Sequence, residues 1–150
     1  MKLLLTSWGV TNKSMSNALL DLLWKPFSQS NLVYIPTASN VESWDKTWLI
    51  NDLIYCKNLW FKEIDIVDIS AISKKLYIDR LNYSDVLLFG WWNTAHLMES
   101  IYSSWLIEFL PELLKTKVFV WISAWSVIFG KDMDIIATEK LYEENIWNEK

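Results

Sequence analysis

The stretch that decides the fold is K-V-F-V-W-I-S-A-W-S-V-I-F-G, residues 117–130. Its β-branched and aromatic part, Val118–Ile122, is typical of a fully buried strand, and a helix-compatible segment follows from Ala124. Ser123 therefore stands at a strand-to-helix turn, where its hydroxyl is exposed above the carboxyl end of the strand. The next backbone N–H can then face developing negative charge. A serine that merely caps the helix is the alternative interpretation of this stretch.

The rest of the chain alternates between strand and helix patterns. The earlier predicted strands are Lys2–Thr6, Asn31–Ile35, Lys62–Val67 and Val86–Phe89. Helices are predicted from Asn12 or Ser14 to Trp24, at Asp45–Leu59, at Ser73–Arg80 (or a turn), at Thr94–Tyr102 and at Leu106–Leu114, with a break at Trp105. Pro36–Ser39 is predicted to close the second strand. This alternation predicts a parallel, doubly wound α/β sheet whose ligands bind beyond the carboxyl ends of the strands.

A second stretch, V-L-L-F-G-W-W-N-T-A-H-L at residues 86–97, joins the first in resembling a known family. Together they resemble the peptidase E family, alpha-aspartyl dipeptidases of the class I glutamine amidotransferase-like fold. The family signatures F-G-G-G-N-T-x-x-L and G-x-S-A-G-S stand here as F-G-W-W-N-T-A-H-L and W-I-S-A-W-S. The resemblance continues through residues 3–9, 34–39 and 45–48. It implies a flavodoxin-like, three-layer αβα fold with a mostly parallel sheet, in one domain over residues 1–150.

The resemblance also implies an activity, the hydrolysis of small peptides through an acyl-enzyme on Ser123, with N-terminal aspartate as the preferred residue. Serine is a weak nucleophile at neutral pH, so it needs a base, an acid that orients the base, and donors for the oxyanion. The first oxyanion donor is expected to be the backbone N–H of Ala124. The second is expected to be the backbone N–H of Trp92, in the loop after the fourth strand. The residues expected to form the site loop are Trp91, Trp92, Asn93 and Thr94.

The base is not apparent in the sequence. His96, the single histidine, lies at a position that the family does not use for its base, and we interpret it as a helix-surface or pocket-rim residue. In peptidase E relatives the catalytic histidine lies further along than Lys150, so we expect this chain to be an inactive fragment without its C-terminal part. Asp132, Asp134 and Glu139 lie where some relatives place the acid, but no motif selects one, and solvated loop charges are the alternative.

The tryptophan content is abnormal, because eleven tryptophans accompany three glycines, whereas glycine usually makes up roughly 7% of a chain. The tryptophans at positions that favour glycine are Trp8, Trp24, Trp60, Trp91, Trp92, Trp121 and Trp125. Trp48, on an apolar helix face, stands where tryptophan is expected. We hypothesise that the gene reads UGA as glycine, as some bacterial lineages do. A lineage that truly replaced these glycines is the alternative.

Composition argues against several other classes of protein. The net charge is −4 and the lysines are scattered, so no nucleic-acid footprint is apparent. Apolar runs are shorter than the ~20 residues of a membrane span, and no signal peptide is recognisable, so a cytoplasmic location is expected. Cys56 is interpreted as a buried small hydrophobe. Because Glu63, Asp65 and Asp68 straddle both strand faces without a histidine, no metal is expected, and no organic cofactor is implied.

Two further functions stay open. A non-catalytic pseudoenzyme or binding domain of the same fold is favoured if the tryptophans are real and the chain ends at Lys150. A glutamine amidotransferase-like subunit is disfavoured, because Ser123 stands where amide transfer uses cysteine. The expected partner is a small peptide substrate, and the oligomeric state is not indicated.

Overall fold

A computed structural model describes residues 1–122, which contain one parallel five-stranded sheet. The strands are β1 (Lys2–Thr6), β2 (Asn31–Ile35), β3 (Glu63–Ile66), β4 (Val86–Phe89) and β5 (Val118–Ile122). Their order across the sheet is β1-β5-β4-β2-β3, and every neighbouring pair is parallel. The predicted doubly wound α/β sheet is therefore confirmed.

Helices alternate with these strands. They are α1 (Lys13–Leu23), α2 (Thr37–Asn40), α3 (Thr47–Asn58), α4 (Lys74–Tyr83), α5 (Thr94–Ser103) and α6 (Leu110–Thr116), with single 3₁₀ turns at Phe27–Gln29 and Leu106–Glu108. The predicted break at Trp105 lies between α5 and the second 3₁₀ turn. β2 ends at Ile35, directly before Pro36 as predicted, and Thr37 begins the short helix α2, which the sequence pattern did not predict. Within residues 1–122, no helix has the length and apolarity needed to cross a bilayer.

Two apolar clusters cover the two faces of the sheet and give the molecule its three layers. One cluster packs Val33, Ile35 and Phe89 of the strands against α4, α5 and α6. The other packs Leu32 and Tyr34 against α1 and α3. Every residue of β4 and of β5 is buried, which explains why both strands read as continuous apolar runs. The free thiol of Cys56 is buried, as predicted.

The strand order creates a switch point between β2 and β4. β2 and β4 are neighbours in the sheet, but the strands that follow them in sequence lie on opposite sides of this pair. β3 lies beyond β2, and β5 lies beyond β4. The loops that follow β2 and β4 therefore diverge at the carboxyl edge of the sheet, which is where ligands bind in folds of this type.

Candidate functional site

The site loop comprises residues 90–93, between the end of β4 and the start of α5. Asn93 is the N-cap of α5, and its side-chain oxygen accepts a hydrogen bond of 2.8 Å from the backbone N–H of His96. This bond satisfies one of the N–H groups that a helix start leaves without a helical partner. Trp92 takes a positive φ of 110°, a conformation that favours glycine. The structure thus places all four predicted loop residues, with Thr94 as the first residue of α5, at the carboxyl end of β4.

Helix α2 holds the site loop from across the switch point. The hydroxyl of Ser39 donates to the carbonyl of Trp91 (2.9 Å), and the N–H of Asn93 donates to the carbonyl of Ala38 (3.1 Å). The side-chain amide of Asn93 also donates to the carboxylate of Glu42 (3.2 Å). These three bonds join the loops after β2 and β4, so the conformation of the site loop depends on a segment about fifty positions away in sequence.

Asp68 in turn fixes helix α2 to the loop after β3. Its carboxylate accepts hydrogen bonds from Thr37 Oγ1 (2.9 Å), Asn40 Nδ2 (2.7 Å), and both the N–H (3.0 Å) and the hydroxyl (2.7 Å) of Ser70. Burial raises the pKa of Asp68, but the hydrogen bonds from Ser70, Asn40 and Thr37 together bring that pKa below its usual value. Asp68 is therefore a carboxylate that supports the local structure.

We predict that Asp68→Asn lowers the free energy of unfolding by about 0.5–1.5 kcal/mol, because the amide replaces one acceptor oxygen of a mostly exposed hydrogen-bond network with a donor. Because the pKa of Asp68 is lower in the folded state, ionised Asp68 stabilises the fold at pH values above 3.8, its pKa in the unfolded chain. This stabilisation is lost as the pH falls through the pKa of the folded state. The difference between variant and wild type should therefore shrink at low pH. Urea unfolding at pH 7 and pH 3 measures it. Exposed Asp21→Asn is the control, and an equal loss in both variants would contradict the assigned role.

Asp65 of β3 is paired with Arg80 of α4. Arg80 Nε donates to Asp65 Oδ2 at 2.6 Å, and this hydrogen bond holds the pKa of Asp65 below its usual value. In the part of the chain that the structure describes, no group of three or more His, Cys, Asp or Glu is arranged to hold a metal ion.

A buried carboxylate, Asp52 of α3, lies beneath the carboxyl ends of the strands and was not anticipated from the sequence. It is 8% exposed and accepts a hydrogen bond of 3.4 Å from the hydroxyl of Tyr34. A Cβ at Gly9, in the loop after β1, would lie 3.1 Å from its Oδ1. Burial raises the pKa of Asp52 to about 6, against the opposing effect of the Tyr34 hydrogen bond. Its spacing from Leu49, Leu53 and Cys56 puts it on the buried face of α3, and that pattern could have found it.

We predict that Asp52 makes the protein less stable as the pH rises from about 4 to about 6. The native state keeps its proton up to about pH 6, whereas the unfolded chain releases it near 3.8. The unfolded state then binds fewer protons, so the free energy of unfolding falls across this window. Burial raises the pKa of Tyr34, and raises that of Cys56 to about 12, so both neighbours stay neutral there.

Asp52→Asn removes this dependence, because the amide stays neutral at every pH. The variant should be close to wild type near pH 4 and exceed its free energy of unfolding by about 3 kcal/mol at pH 7. Denaturant titrations at several pH values measure the difference. A difference that does not change with pH would contradict the prediction.

Five tryptophans form a cluster over the site loop: Trp8, Trp44, Trp48, Trp91 and Trp92. The ring centroids of Trp91 lie 5.0 Å from Trp8, 5.1 Å from Trp48 and 5.1 Å from Trp92. Trp44 completes the cluster at 5.6 Å from Trp92. The edge of the sheet where a ligand is expected is therefore lined by indole rings.

The predicted nucleophile, Ser123, and the predicted oxyanion donor, Ala124, lie outside the described residues, as does Trp125. The description ends at Ile122, the last residue of β5. β5 lies directly beside β4, and Trp121 is opposite Phe89 with their rings stacked at 4.0 Å. The described end of β5 thus adjoins the start of the site loop.

His96 lies in the first turn of α5, and its backbone N–H donates to the side-chain oxygen of Asn93. It is half-buried and lines a cavity of about 370 Å³ together with Lys74, Tyr77 and Glu99. This position fits the interpretation of His96 as a pocket-rim residue.

Comparison with known proteins agrees with this architecture. The sequence profile of Peptidase family S51 matches residues 3–147. A search of curated proteins finds no match. Among solved structures, the 1.5 Å crystal structure of a Listeria monocytogenes EGD-e protein, provisionally assigned as a peptidase E, matches with a TM-score of 0.67 and 20% identity. The match covers 83% of this chain and 60% of that chain, and at this identity it shows the fold alone.

Proposed function

The chain belongs to Peptidase family S51, and on this premise we propose that it is a serine peptidase of the peptidase E type. The proposed reaction is hydrolysis of small peptides, with dipeptides that begin with aspartate as the first substrates to test. Ser123 is the proposed nucleophile. The backbone N–H groups of Ala124 and Trp92 are the proposed oxyanion donors.

One observation carries the proposal: β4 and β5 are parallel neighbours, with Phe89 opposite Trp121. Both strands therefore end at the same edge, and Ser123 follows the last residue of β5 directly in the sequence. The site loop begins at Gly90, immediately after β4. The proposed nucleophile and the proposed donor of the site loop thus follow the ends of adjacent strands, which supports acyl transfer.

In the proposed reaction, Ser123 Oγ loses its proton to a base and attacks the carbonyl carbon of the scissile peptide bond. The negative charge that develops on the carbonyl oxygen is stabilised by the two donor N–H groups, each worth about 10²–10³ in kcat. The amine leaves with a proton, and water then hydrolyses the ester on Ser123. The hydrogen bonds of Ser39 and Asn93 stabilise the loop that supplies the second donor.

Labelling with a fluorophosphonate probe tests the proposal, because the probe reacts with an activated serine. The complete gene product is treated with the probe, digested with trypsin and sequenced by mass spectrometry. We expect the label on Ser123, in the peptide of residues 118–131. Hydrolysis without labelling of Ser123, or labelling at another serine, would overturn the proposed nucleophile.

A second candidate is a binding domain without catalysis, and the tryptophan cluster favours it. Rings of Trp91 and Trp92 stack at 5.1 Å beside the proposed donors, a surface suited to binding an apolar or aromatic ligand. The labelling experiment separates the two candidates, because a binding domain stays unlabelled and does not hydrolyse dipeptides.

A further inference from the structure

Four residues in the described range have a backbone conformation that does not suit their side chains. Among the non-glycine residues of 1–122, the positive φ angles are 59° at Trp24, 62° at Trp60, 110° at Trp92 and 69° at Trp105. All four residues are tryptophan. Residues other than glycine rarely adopt positive φ, and those that do are mostly asparagine and aspartate, whereas a bulky side chain there is strained. A single residue type at every such position requires a common cause.

Three of the four end a helix in the manner of glycine. The N–H of Trp24 donates to the carbonyl of Leu20 at the end of α1 (3.1 Å). The N–H groups of Trp60 and Trp105 donate, at 3.1 and 3.0 Å, to carbonyls in the last turns of α3 and α5. A left-handed residue just past a helix, with its N–H bonded back to the last turn, is a position that glycine dominates.

The side chains at these helix ends do not offset the strain by burial. Trp24 is 87% exposed, Trp60 80% and Trp105 58%. Rings of Trp24 and Trp105 lie 5.6 and 5.5 Å from the ammonium groups of Lys2 and Lys74, which are weak contacts in water. An indole normally occupies a position where most of its apolar surface is removed from water. These three positions therefore have the backbone of glycine and leave most of the ring in solvent.

We propose that positions 24, 60, 92 and 105 are glycine in the protein that the source cell makes, because its gene reads UGA as glycine. The four codons are then UGA, and the codon of Trp48 is UGG. Trp48 differs because it lies within α3, without a positive φ, and its ring packs at 5.1 Å against Trp91. The structure adds position 105 to those that the sequence pattern indicated. Of the others, neither Trp8, Trp91 nor Trp121 has a positive φ, so the proposal does not include them.

The inference does not depend on the proposed function, but it affects the site. Glycine at position 92 takes the φ of 110° without strain and removes one ring from the tryptophan cluster. The backbone of the site loop is then more accessible to a substrate. The proposed peptidase activity and the proposed glycines are tested separately, because mass spectrometry identifies the residue at each position without an activity assay.

Mass spectrometry of the protein purified from the source cell decides the composition. In a tryptic digest, residues 58–62 contain Trp60, and residues 47–57 contain Trp48 as an internal control. We expect the first peptide to be lighter by the Trp-to-Gly difference and the second to have the mass of a tryptophan peptide. The fragment spectra of the peptides that contain positions 24, 92 and 105 should show glycine. Tryptophan at these positions overturns the proposal.

Thermal unfolding of the recombinant tryptophan-containing chain tests the physical basis. Trp24→Gly, Trp60→Gly and Trp105→Gly should each raise the Tm by about 2–4 °C. Each variant removes the backbone strain of a bulky residue at positive φ. The matched variant Trp48→Gly should lower the Tm, since it removes a ring packed against Trp91 and places glycine in the first turn of α3. A lower Tm in the three helix-end variants would show that tryptophan suits these positions and would overturn the inference.

Discussion

Ser123→Ala is expected to lower kcat for dipeptide hydrolysis by about 10⁴- to 10⁶-fold, the largest effect of any single change in this chain. The variant keeps the strand and the site loop but lacks the oxygen that forms the acyl-enzyme. The activity that remains comes from substrate binding and the oxyanion donors alone. Steady-state hydrolysis of a dipeptide with N-terminal aspartate by the complete gene product measures the loss.

Ser28→Ala is the control for this experiment. Ser28 is exposed and lies in the 3₁₀ turn before β2, at the amino edge of the sheet and so away from the site loop. Its removal should leave kcat and KM unchanged. If Ser123→Ala kept most of the activity while the thermal stability matched that of wild type, the acyl-enzyme mechanism would have to be abandoned.

The bounds of four strands could be predicted to the residue, whereas those of β3 could not. Val86–Phe89 and Val118–Ile122 have the predicted bounds, because a strand buried on both faces is a continuous apolar run with polar residues at each end. β3 spans Glu63–Ile66, shorter than the predicted Lys62–Val67. It pairs with β2 alone, and its first and last residues are exposed while the two between them are half-buried, so its ends are weakly defined by pattern.

Helix α2 and its hydrogen bonds to the site loop could not be predicted from the sequence, for a different reason. Helix α2 has four residues, too few for a helical period, and a proline precedes it. Asp68 stabilises α2 by accepting a hydrogen bond from Thr37 Oγ1, which is 31 positions away in sequence. The sequence predicted the residues of the site loop, because that loop follows its strand directly. The bond from Ser39 to Trp91 depends on which strands are neighbours, and local pattern does not contain that information.

Gly90→Ala is expected to have the second-largest effect, because the first residue of the site loop has no room for a side chain. A Cβ there would lie 2.8 Å from the hydroxyl of Tyr34 and 3.2 Å from that of Ser39. Tyr34 is fully buried and its hydroxyl is bonded to Asp52, so it cannot move aside cheaply. We expect a loss of about 1–3 kcal/mol in the free energy of unfolding. Displacement of the loop should also lower kcat/KM by about 10²-fold.

Tyr34→Phe provides the matched test, since it removes only the oxygen nearest to the added methyl group. In this background Gly90→Ala should be less destabilising, with a coupling energy of about 0.5–3 kcal/mol between the two changes. Urea unfolding of the wild type, both single variants and the double variant measures the coupling without an activity assay. Strictly additive losses would mean that the Tyr34 hydroxyl does not restrict position 90. The remaining restriction would then lie with the Tyr34 ring, whose Cζ is 3.2 Å from the added Cβ, and with Ser39, whose hydroxyl holds the site loop through Trp91.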